Sequence, residues 1–517
     1  MDTLVRQPRA LKILLETRPA LDKHAGIPQQ TRLLFRGLAL NRSFTVEGLL
    51  QSSTHALGRA LPPGGRSWWG RLSKHRQIDR LARVVIMLEQ KFFLRSYAAT
   101  VFVVLRRLCG LSESLTRFET RHFRDFIWRR LFARTLPAAD FDTVTSCDFR
   151  VAHSPWTALH ICGLIFRQFG LTFFPRLNTA GFDVMITDTP YPAVVTGATR
   201  LIVRYHDAIP LLMPHTISDR QHHQAFHYRA LRQNVASGAW FACVSEATRQ
   251  DLLSIFPEAA PRAVTIHNMV SHDYFDEASS ASRVREIVRT RLNARIAKAH
   301  LDNTLKARLF DDSMIGDSPD YLLVVSTIEP RKNHLTLLSA WERYRAQNSP
   351  GLRILIVGSL GWHHRPIVQK LVPWLERGEV FMLEEVPSPE LRLLYKHARA
   401  TICPSFAEGF DLSGVEAMRS GGVVIASDIP VHREIYSNAA EFFNPYSVDD
   451  LGRALRGVID SGKPSRREEL VALGAGVAER YSCEVILPKW HDFLTASLAP
   501  EPPRTVGAKG DILESSL

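Results

Sequence analysis

Arg331 and Lys332 are adjacent cations that follow the apolar run 321–326, in the order Thr327-Ile328-Glu329-Pro330-Arg331-Lys332-Asn333, and lead into a helical stretch. At the carboxyl end of a strand and beside a helix N-terminus, side-chain charge and exposed backbone N–H groups act on the same anion, which is what a diphosphate site needs. The bland reading of the pair is a solvated surface feature. Glu408 and Glu416 lie eight residues apart in Ser405-Phe406-Ala407-Glu408-Gly409-Phe410-Asp411-Leu412-Ser413-Gly414-Val415-Glu416. With a helix starting near Leu412, Glu408 stays in the loop at a strand end and Glu416 falls in the first turns of the helix. Two carboxylates beside a glycine can bind the vicinal hydroxyls of a ribose or a sugar. Against that stands the reading of two exposed glutamates. His206, at the end of the strand pattern 201–205, is a further candidate, with a core histidine as its alternative. Asp140-Phe141-Asp142 spells the D-x-D of metal-dependent sugar transfer but is close to chance in a chain this long. His223 and His227 have the i, i+4 spacing of a zinc pair without the accompanying glutamate of H-E-x-x-H.

These residues need strands to carry them. The apolar run 11–15, a turn region and Gly26-Ile27-Pro28 before a helical stretch to Leu40 open an α/β unit. A long Arg-rich, largely helical insertion is expected over about 44–137. Strands then resume at 184–187, 201–205, 241–245 and 264–267. Residues 271–319 read as a charged, helical connection. Beyond it short apolar strands at 321–326, 353–358, 380–386, 400–404 and 423–426 alternate with amphipathic helices, the pattern of a doubly wound parallel sheet. The expected organisation is a domain over 1–270, the connection over 271–319, a second domain over 320–482, a helix over 483–499 and a disordered Pro/Glu/Gly tail over 500–517. Two such domains place ligand sites at the carboxyl ends of their strands, facing one another across a cleft.

The 517 residues hold 65 Lys+Arg against 52 Asp+Glu, with 45% hydrophobic and 23% charged residues. That composition excludes a disordered, collagen-like or disulfide-dense chain. Between 57 and 134 there are 17 Lys/Arg and 5 Asp/Glu, so +12 of the total +13 is local. The six cysteines are widely spaced and read as buried thiols of a reducing compartment. Residues 1–9 lack a signal-peptide core, and the longest uncharged apolar stretches, 96–105 and 151–166, are too short or too broken to span a bilayer. A cytoplasmic chain is expected.

As a set, Glu329-Pro330-Arg331-Lys332-Asn333, Val357-Gly358-Ser359-Leu360-Gly361-Trp362, Ser388-Pro389-Glu390-Leu391 and Glu408-Gly409-Phe410 through Glu416-Ala417-Met418 resemble the donor half of a glycosyltransferase family 4 enzyme of GT-B fold, whose E-x7-E spacing Glu408 and Glu416 reproduce. Ser427-Asp428-Ile429-Pro430 and Asn438-Ala439-Ala440 extend the likeness. The Gly26-Ile27 loop, His206-Asp207, Val244-Ser245-Glu246 and Ile266-His267-Asn268 carry it more loosely into the first half. Two positions depart from the family pattern: Asp411 stands where a glycine is usual, and Ser413-Gly414 replaces a common proline.

The resemblance implies a retaining transfer in which the leaving phosphate takes the acceptor proton, with no metal and no protein nucleophile. Arg331 and Lys332 would hold the donor diphosphate, Glu416 the ribose hydroxyls, and Glu408 the transferred sugar together with the N–H groups of Phe410 and Asp411. Gly358, Gly409 and Leu412 would complete the donor contacts, Gly26 would admit the phosphates, and His206 would contact the donor sugar or orient the acceptor hydroxyl. Similarity of 358–362 and 206–210 to bacterial mannosyltransferases points to GDP-mannose as donor and to a lipid-linked or polysaccharide acceptor.

On a helical wheel Arg80, Arg83, Lys91, Arg95 and Arg106 share one arc, with Phe92, Phe93, Tyr97 and Val104 to one side or opposite, and Trp68-Trp69 lies near Arg66 and Arg71. A cationic stripe beside an apolar face suits an anionic membrane surface, which would place the chain at the inner face of the cell membrane. The alternative is a helical subdomain with a solvated arginine face. A catalytically silent GT-B scaffold at the membrane is the other reading of the whole chain. Nucleic acid is not expected as a partner, because no recognised binding fold accompanies the charge.

Overall fold

The computed structural model describes residues 9–21, 26–57, 74–89, 96–165, 172–218, 220–293, 320–460 and 464–498. The Trp68-Trp69 pair with Arg66 and Arg71, the residues Lys91, Phe92, Phe93 and Arg95, most of the expected connection and the tail 500–517 lie outside them.

The first sheet is built from β1 (Leu11–Glu16), β2 (Phe44–Leu50), β3 (Leu115–Phe118), β4 (Phe149–Ala152), β6 (Val184–Thr187), β8 (Arg200–Tyr205), β9 (Trp240–Cys243) and β10 (Ala263–Thr265), in the order β10-β9-β8-β6-β1-β2-β4-β3. Only β3 runs antiparallel, against β4. The two-residue strands β5 (Arg176–Leu177) and β7 (Val194–Val195) pair apart from it. The second sheet, β13-β12-β11-β14-β15-β16, consists of β11 (Tyr321–Val325), β12 (Arg353–Val357), β13 (Val380–Leu383), β14 (Ala400–Cys403), β15 (Val424–Ser427) and β16 (Ala440–Phe443), and every pairing in it is parallel. Its strands are continuous apolar runs because helices cover both faces. The fold class is therefore the expected one, α/β with two doubly wound sheets.

The helices used below are α1 (Ile27–Leu40), α2 (Lys74–Glu89), α3 (Ser96–Leu108), α4 (Trp156–Leu164), α5 (Glu246–Ile255), α6 (His334–Gln347), α7 (Leu412–Arg419), α8 (Pro430–Tyr436) and α9 (Cys483–Ser497). The last of these crosses back to the first domain. Cys483, Ile486, Trp490, Phe493 and Leu494 of α9 enter the core formed by β1, β2, β4 and α1, and the Arg204 guanidinium of β8 lies 5.7 Å from the Trp490 ring centroid.

Three expectations need correction. The insertion does not begin at Phe44, since residues 44–50 are β2, a central strand between β1 and β4. Glu47 and Gly48 hide it from a hydrophobic reading. Glu47 pairs with Arg150 of β4 at 2.6 Å. Gly48 is opposite Phe149, whose ring would lie 2.2 Å from any β-carbon there. Within the insertion the structure also places the short strand β3. The single cationic stripe is divided as well: Arg80 and Arg83 belong to α2 and Arg106 to α3, two separate helices, while Lys91 and Arg95 lie outside the described residues. Lastly, Cys109, just beyond the end of α3, is exposed and Cys147 half-buried, while the other four cysteines are buried and all six are free thiols. Among the described residues no helix is long and apolar enough to cross a membrane.

Candidate active site

On the C-terminal side of the cleft, β11 ends at Val325 and the chain reaches a short helical turn, Pro330–Lys332. Asn333 then takes a left-handed conformation (φ 55°) and starts α6. Its buried side-chain amide donates to the carbonyls of Pro404 (3.0 Å) and Pro445 (2.9 Å), and the Phe406 N–H donates to the Arg331 carbonyl at 2.9 Å. These bonds tie the loop after β11 to the loops after β14 and β16 and set Lys332 beside Glu408, 76 positions away in the chain. Glu408 bridges both cations: Lys332 Nζ lies 2.5 Å from Oε1 and an Arg331 nitrogen 2.8 Å from Oε2. Arg331 also meets Glu329 at 2.8 Å and the Ala407 carbonyl at 2.6 Å. Burial alone would raise the Glu408 carboxyl, but Arg331 and Lys332 outweigh it and hold the group below the usual carboxylate range. Burial opposes the charge on Arg331 too, and Glu408 and Glu329 more than restore it.

Glu416 sits in the second turn of α7 and is buried. The Gln29 amide donates to one oxygen at 3.3 Å and the Tyr395 hydroxyl to the other at 3.1 Å. Burial pushes its carboxyl up to about 7 despite those hydrogen bonds. Gln29 belongs to α1, one turn from Gly26, whose φ of 67° caps that helix and whose carbonyl accepts from Gln30 N–H at 3.2 Å. The α1 N-terminus and the helix bearing Glu416 thus meet across the cleft. Gly409 marks a second crossing: a β-carbon there would lie 1.7 Å from the His206 carbonyl oxygen, and the Gly409 carbonyl accepts from Ser245 (2.7 Å) and Thr248 (3.2 Å) of the first domain. Only a residue without a side chain permits this approach.

The Phe410 ring is buried and packs edge-on against Tyr481 at 5.2 Å, so only its backbone can face a donor. Asp411 has φ 61° in place of the family's usual glycine, and its carboxylate turns inward. It accepts from the Ser413 N–H at 3.2 Å, capping α7 just before Leu412, and lies 3.1 Å from His432 Nε2. Burial raises Asp411, and His432 together with Lys332 overrides that and holds it well below the carboxylate range. Gly358 follows β12, where a β-carbon would lie 2.0 Å from the Ser326 carbonyl, so it lets the 358–361 loop lie on the loop that carries Glu329.

His206, at the end of β8, stands on the other wall. Its Nε2 is 3.3 Å from Asp188 Oδ1. Asp188 is buried, accepts from Thr31 Oγ1 at 2.6 Å and lies 3.7 Å from the buried Arg204. Burial raises the Asp188 carboxyl, but the His206 hydrogen bond and Arg204 bring it below its ordinary value. The D-x-D acids serve elsewhere: Asp140 pairs with Arg36 at 2.7 Å and Asp142 with Arg124. His223 lies edge-on to Trp362 at 5.4 Å, whereas His227 approaches the Tyr205 hydroxyl at 3.3 Å.

Residues 306–472 match the family described as glycosyl transferases group 1. The O-antigen chain mannosyltransferase B of Escherichia coli is 26% identical over 257 residues, covering 50% of this chain and 60% of that protein. The serotype-specific mannosyltransferase WbdA of Escherichia coli is 31% identical over 166 residues, 32% of this chain and 20% of that protein. The match to the O-antigen chain mannosyltransferase RfbU of Salmonella typhimurium is 33% over 142 residues, 28% of this chain and 39% of that protein. The chain therefore spans less than two thirds of the length of each. Sucrose-phosphate synthase from Thermosynechococcus elongatus superposes with a TM-score of 0.56 over 95% of this chain and 99% of that one, at 14% identity. Alr3699/HepE of Anabaena, solved with UDP-glucose, superposes at 0.51 over 94% and 100%, at 13% identity. These likenesses show the fold, which is GT-B.

The structure brings Arg331, Lys332 and Glu408 of the matched region into direct contact and sets Gly409 against His206 of the first domain. Glu416 is joined to the Gly26 helix through Gln29. Gln29, Glu329, Asp188 and His432 were not marked by sequence reasoning. Glu329 adjoins the cation pair and Asp188 follows a clear strand, so both had a signal. Gln29 and His432 act only through contacts that the chain's order does not reveal.

Proposed function

We propose that the protein is a retaining, metal-independent glycosyltransferase that moves mannose from GDP-mannose to a polysaccharide or lipid-linked acceptor at a membrane surface. The observation that carries this reading is the wall formed by Arg331, Lys332, Glu408 and Glu416 at the carboxyl edge of the second sheet, with the neighbouring Gly409 set against the His206 carbonyl across the cleft. Arg331 and Lys332 supply the charge a diphosphate needs, and α7 adds the field of its N-terminus. Glu416 and Glu408 accept from the hydroxyls of the ribose and the sugar. In the reaction the bond between the anomeric carbon and the diphosphate oxygen breaks while the acceptor oxygen bonds to the same face of that carbon. The acceptor proton passes to the departing diphosphate oxygen, and the two cations stabilise the growing negative charge. Two cations already face the leaving group, so this scheme calls on no metal. The choice of mannose is supported by the relatives, which are mannosyltransferases.

The test is a panel of nucleotide diphosphates in thermal-shift assays with EDTA present, followed by turnover of the corresponding sugar donors. GDP is expected to raise the melting temperature most, and GDP-mannose to be consumed with retention. No stabilisation by any nucleotide diphosphate, or a Glu416→Ala variant as active as the parent, overturns the proposal. A strict requirement for added divalent metal overturns its metal-independent part.

A further inference from the structure

Helix α3 is an uncommon surface element. It is 13 residues long, and Val103, with Ala99 and Val104 beside it, packs on Ala158, Leu159 and Cys162 of α4. The opposite side is apolar as well. Val101, Phe102, Leu105 and Leu108 of α3, and Leu111 just beyond it, are each between 55% and 59% exposed. At 100° per residue the four helical positions cover an arc of about 120°. Exposed apolar residues elsewhere, such as Leu335, Trp362 and Tyr446, stand singly, and singly they need no partner.

The charge around this face decides what covers it. No Asp or Glu occurs from 90 to 112, a stretch that holds four Lys/Arg. Arg106 lies on the flank of the arc, its guanidinium 5.6 Å from the Phe102 ring centroid and bonded to the Ser112 carbonyl at 2.7 Å. Two copies of such a face would bring like charges together, whereas an anionic bilayer takes both the apolar residues and the cations. With 13 residues, about 20 Å, the helix is too short to span and long enough to lie in the interface.

We infer that the exposed face of α3, formed by Val101, Phe102, Leu105, Leu108 and Leu111, is the docking surface of this protein for an anionic lipid bilayer. The placement also orients the cleft. Beneath α3 lies α4, whose first residue, Trp156, follows the carboxyl end of β4 and stacks under the Arg18 guanidinium at 4.2 Å. Arg18 bonds to Glu16 at 2.8 Å and to Thr189, next to Asp188, at 3.4 Å. The membrane face and the His206 wall are thus separated by a single helix layer. For the use of this arrangement, presenting a lipid-linked acceptor to that wall, the inference rests on the glycosyltransferase reading; the binding itself does not.

The experiment is flotation of the full chain with vesicles of phosphatidylcholine alone and of phosphatidylcholine with one quarter phosphatidylglycerol. Wild type is expected to float with the anionic vesicles and at least tenfold less with the neutral ones. A Phe102→Ser/Leu105→Ser variant should lose at least tenfold in affinity for the anionic vesicles, with its melting temperature and nucleotide-diphosphate binding unchanged. Should that variant fold poorly, Leu108→Glu, which sets a negative charge on the same face, must give the same loss. Wild type that does not float, equal binding to neutral vesicles, variants that float like the parent, or light scattering showing a dimer that these substitutions dissociate, each overturns the inference. Flotation as expected without nucleotide binding or turnover would sink the enzyme reading alone, and turnover without flotation would sink only the docking surface.

Discussion

The two walls of the cleft hold their charges in opposite ways. On the C-terminal wall Arg331 and Lys332 keep about a seventh of their side-chain surface open and share one carboxylate, Glu408. On the N-terminal wall Asp188 and Arg204 are fully buried and His206 leans on them from the edge. The first set can exchange partners, because a ligand phosphate can replace Glu408 at the cations with little change in buried charge. The second cannot, since removing either member leaves an uncompensated charge in the core. On the proposed reading one wall releases and rebinds an anion, and the other fixes a side chain in place.

The strongest way to break this comparison is to remove a cation from the exchanging wall. Lys332→Ala is expected to lower kcat/KM for the sugar donor by about 10²- to 10³-fold, or about 3–4 kcal/mol, while the melting temperature changes little, because Arg331 still satisfies Glu408. Steady-state kinetics with GDP-mannose measures it. A loss below tenfold would mean that the wall does not bear on the leaving group.

The fixed wall should fail in stability first. Asp188→Asn keeps the shape but leaves Arg204 buried with only the neutral Gln30 and Asn268 oxygens, each at 2.8 Å. The expected cost is about 3 kcal/mol at pH 7, read by denaturant unfolding. The folded pKa of Asp188 is lowered, so its contribution is present above the unfolded value of about 3.9 and is lost as pH falls through the folded one. The gap between wild type and variant must therefore close on acidification below about pH 4. A gap independent of pH would place the effect in packing and not in charge.

What could be read from the chain divides along the same line. The exchanging wall was legible because its residues follow strands 321–325 and 400–403, which are buried on both faces and uninterrupted, and because Arg331, Lys332, Glu408 and Glu416 belong to local motifs. Of the fixed wall, position at a strand end pointed only to His206 and Asp188, and not to the contact between them. Its supports Asp188, Thr31 and Arg204 come from three elements, and burial of a full ion pair has no sequence signature. Strand β2 failed for a related reason: Gly48 is small to admit Phe149 from the neighbouring strand, a cross-strand fact invisible along one strand. The cationic stripe failed because a helical wheel presumes one helix, and the chain uses two.

A subtler difference should emerge on titration of the exchanging wall. Glu416 is raised to about 7 by burial, so near pH 6 most molecules carry a neutral carboxyl that accepts poorly from ribose hydroxyls. Nucleotide affinity should rise about tenfold between pH 6 and pH 8, following the ionised fraction. Calorimetric titration of GDP at several pH values tests this. In Glu416→Gln the rise should vanish and affinity stay near the low-pH value; a rise that survives there must come from another group.

The smallest expected effect lies where the two domains are joined. Glu434 of α8 receives the N–H groups of Glu246 (2.7 Å) and Ala247 (2.9 Å), the first residues of α5, and lies 2.8 Å from His267 Nε2. A carboxylate of one domain thus caps a helix of the other, beside the Ser245 and Thr248 hydroxyls that hold Gly409. Burial raises Glu434, but His267 and the two N–H groups override it and keep it ionised. Glu434→Gln retains an acceptor and loses the charge, so about 1 kcal/mol of stability should disappear, a shift of a few degrees in melting temperature that added salt diminishes. The same variant should raise KM for the donor more than it lowers kcat, because the chemistry-bearing side chains stay in place while the closed arrangement of Gly409 against His206 becomes less populated. A fall in kcat with KM unchanged would instead assign Glu434 to the fixed wall, since the latch would then be shaping the site and not its closure.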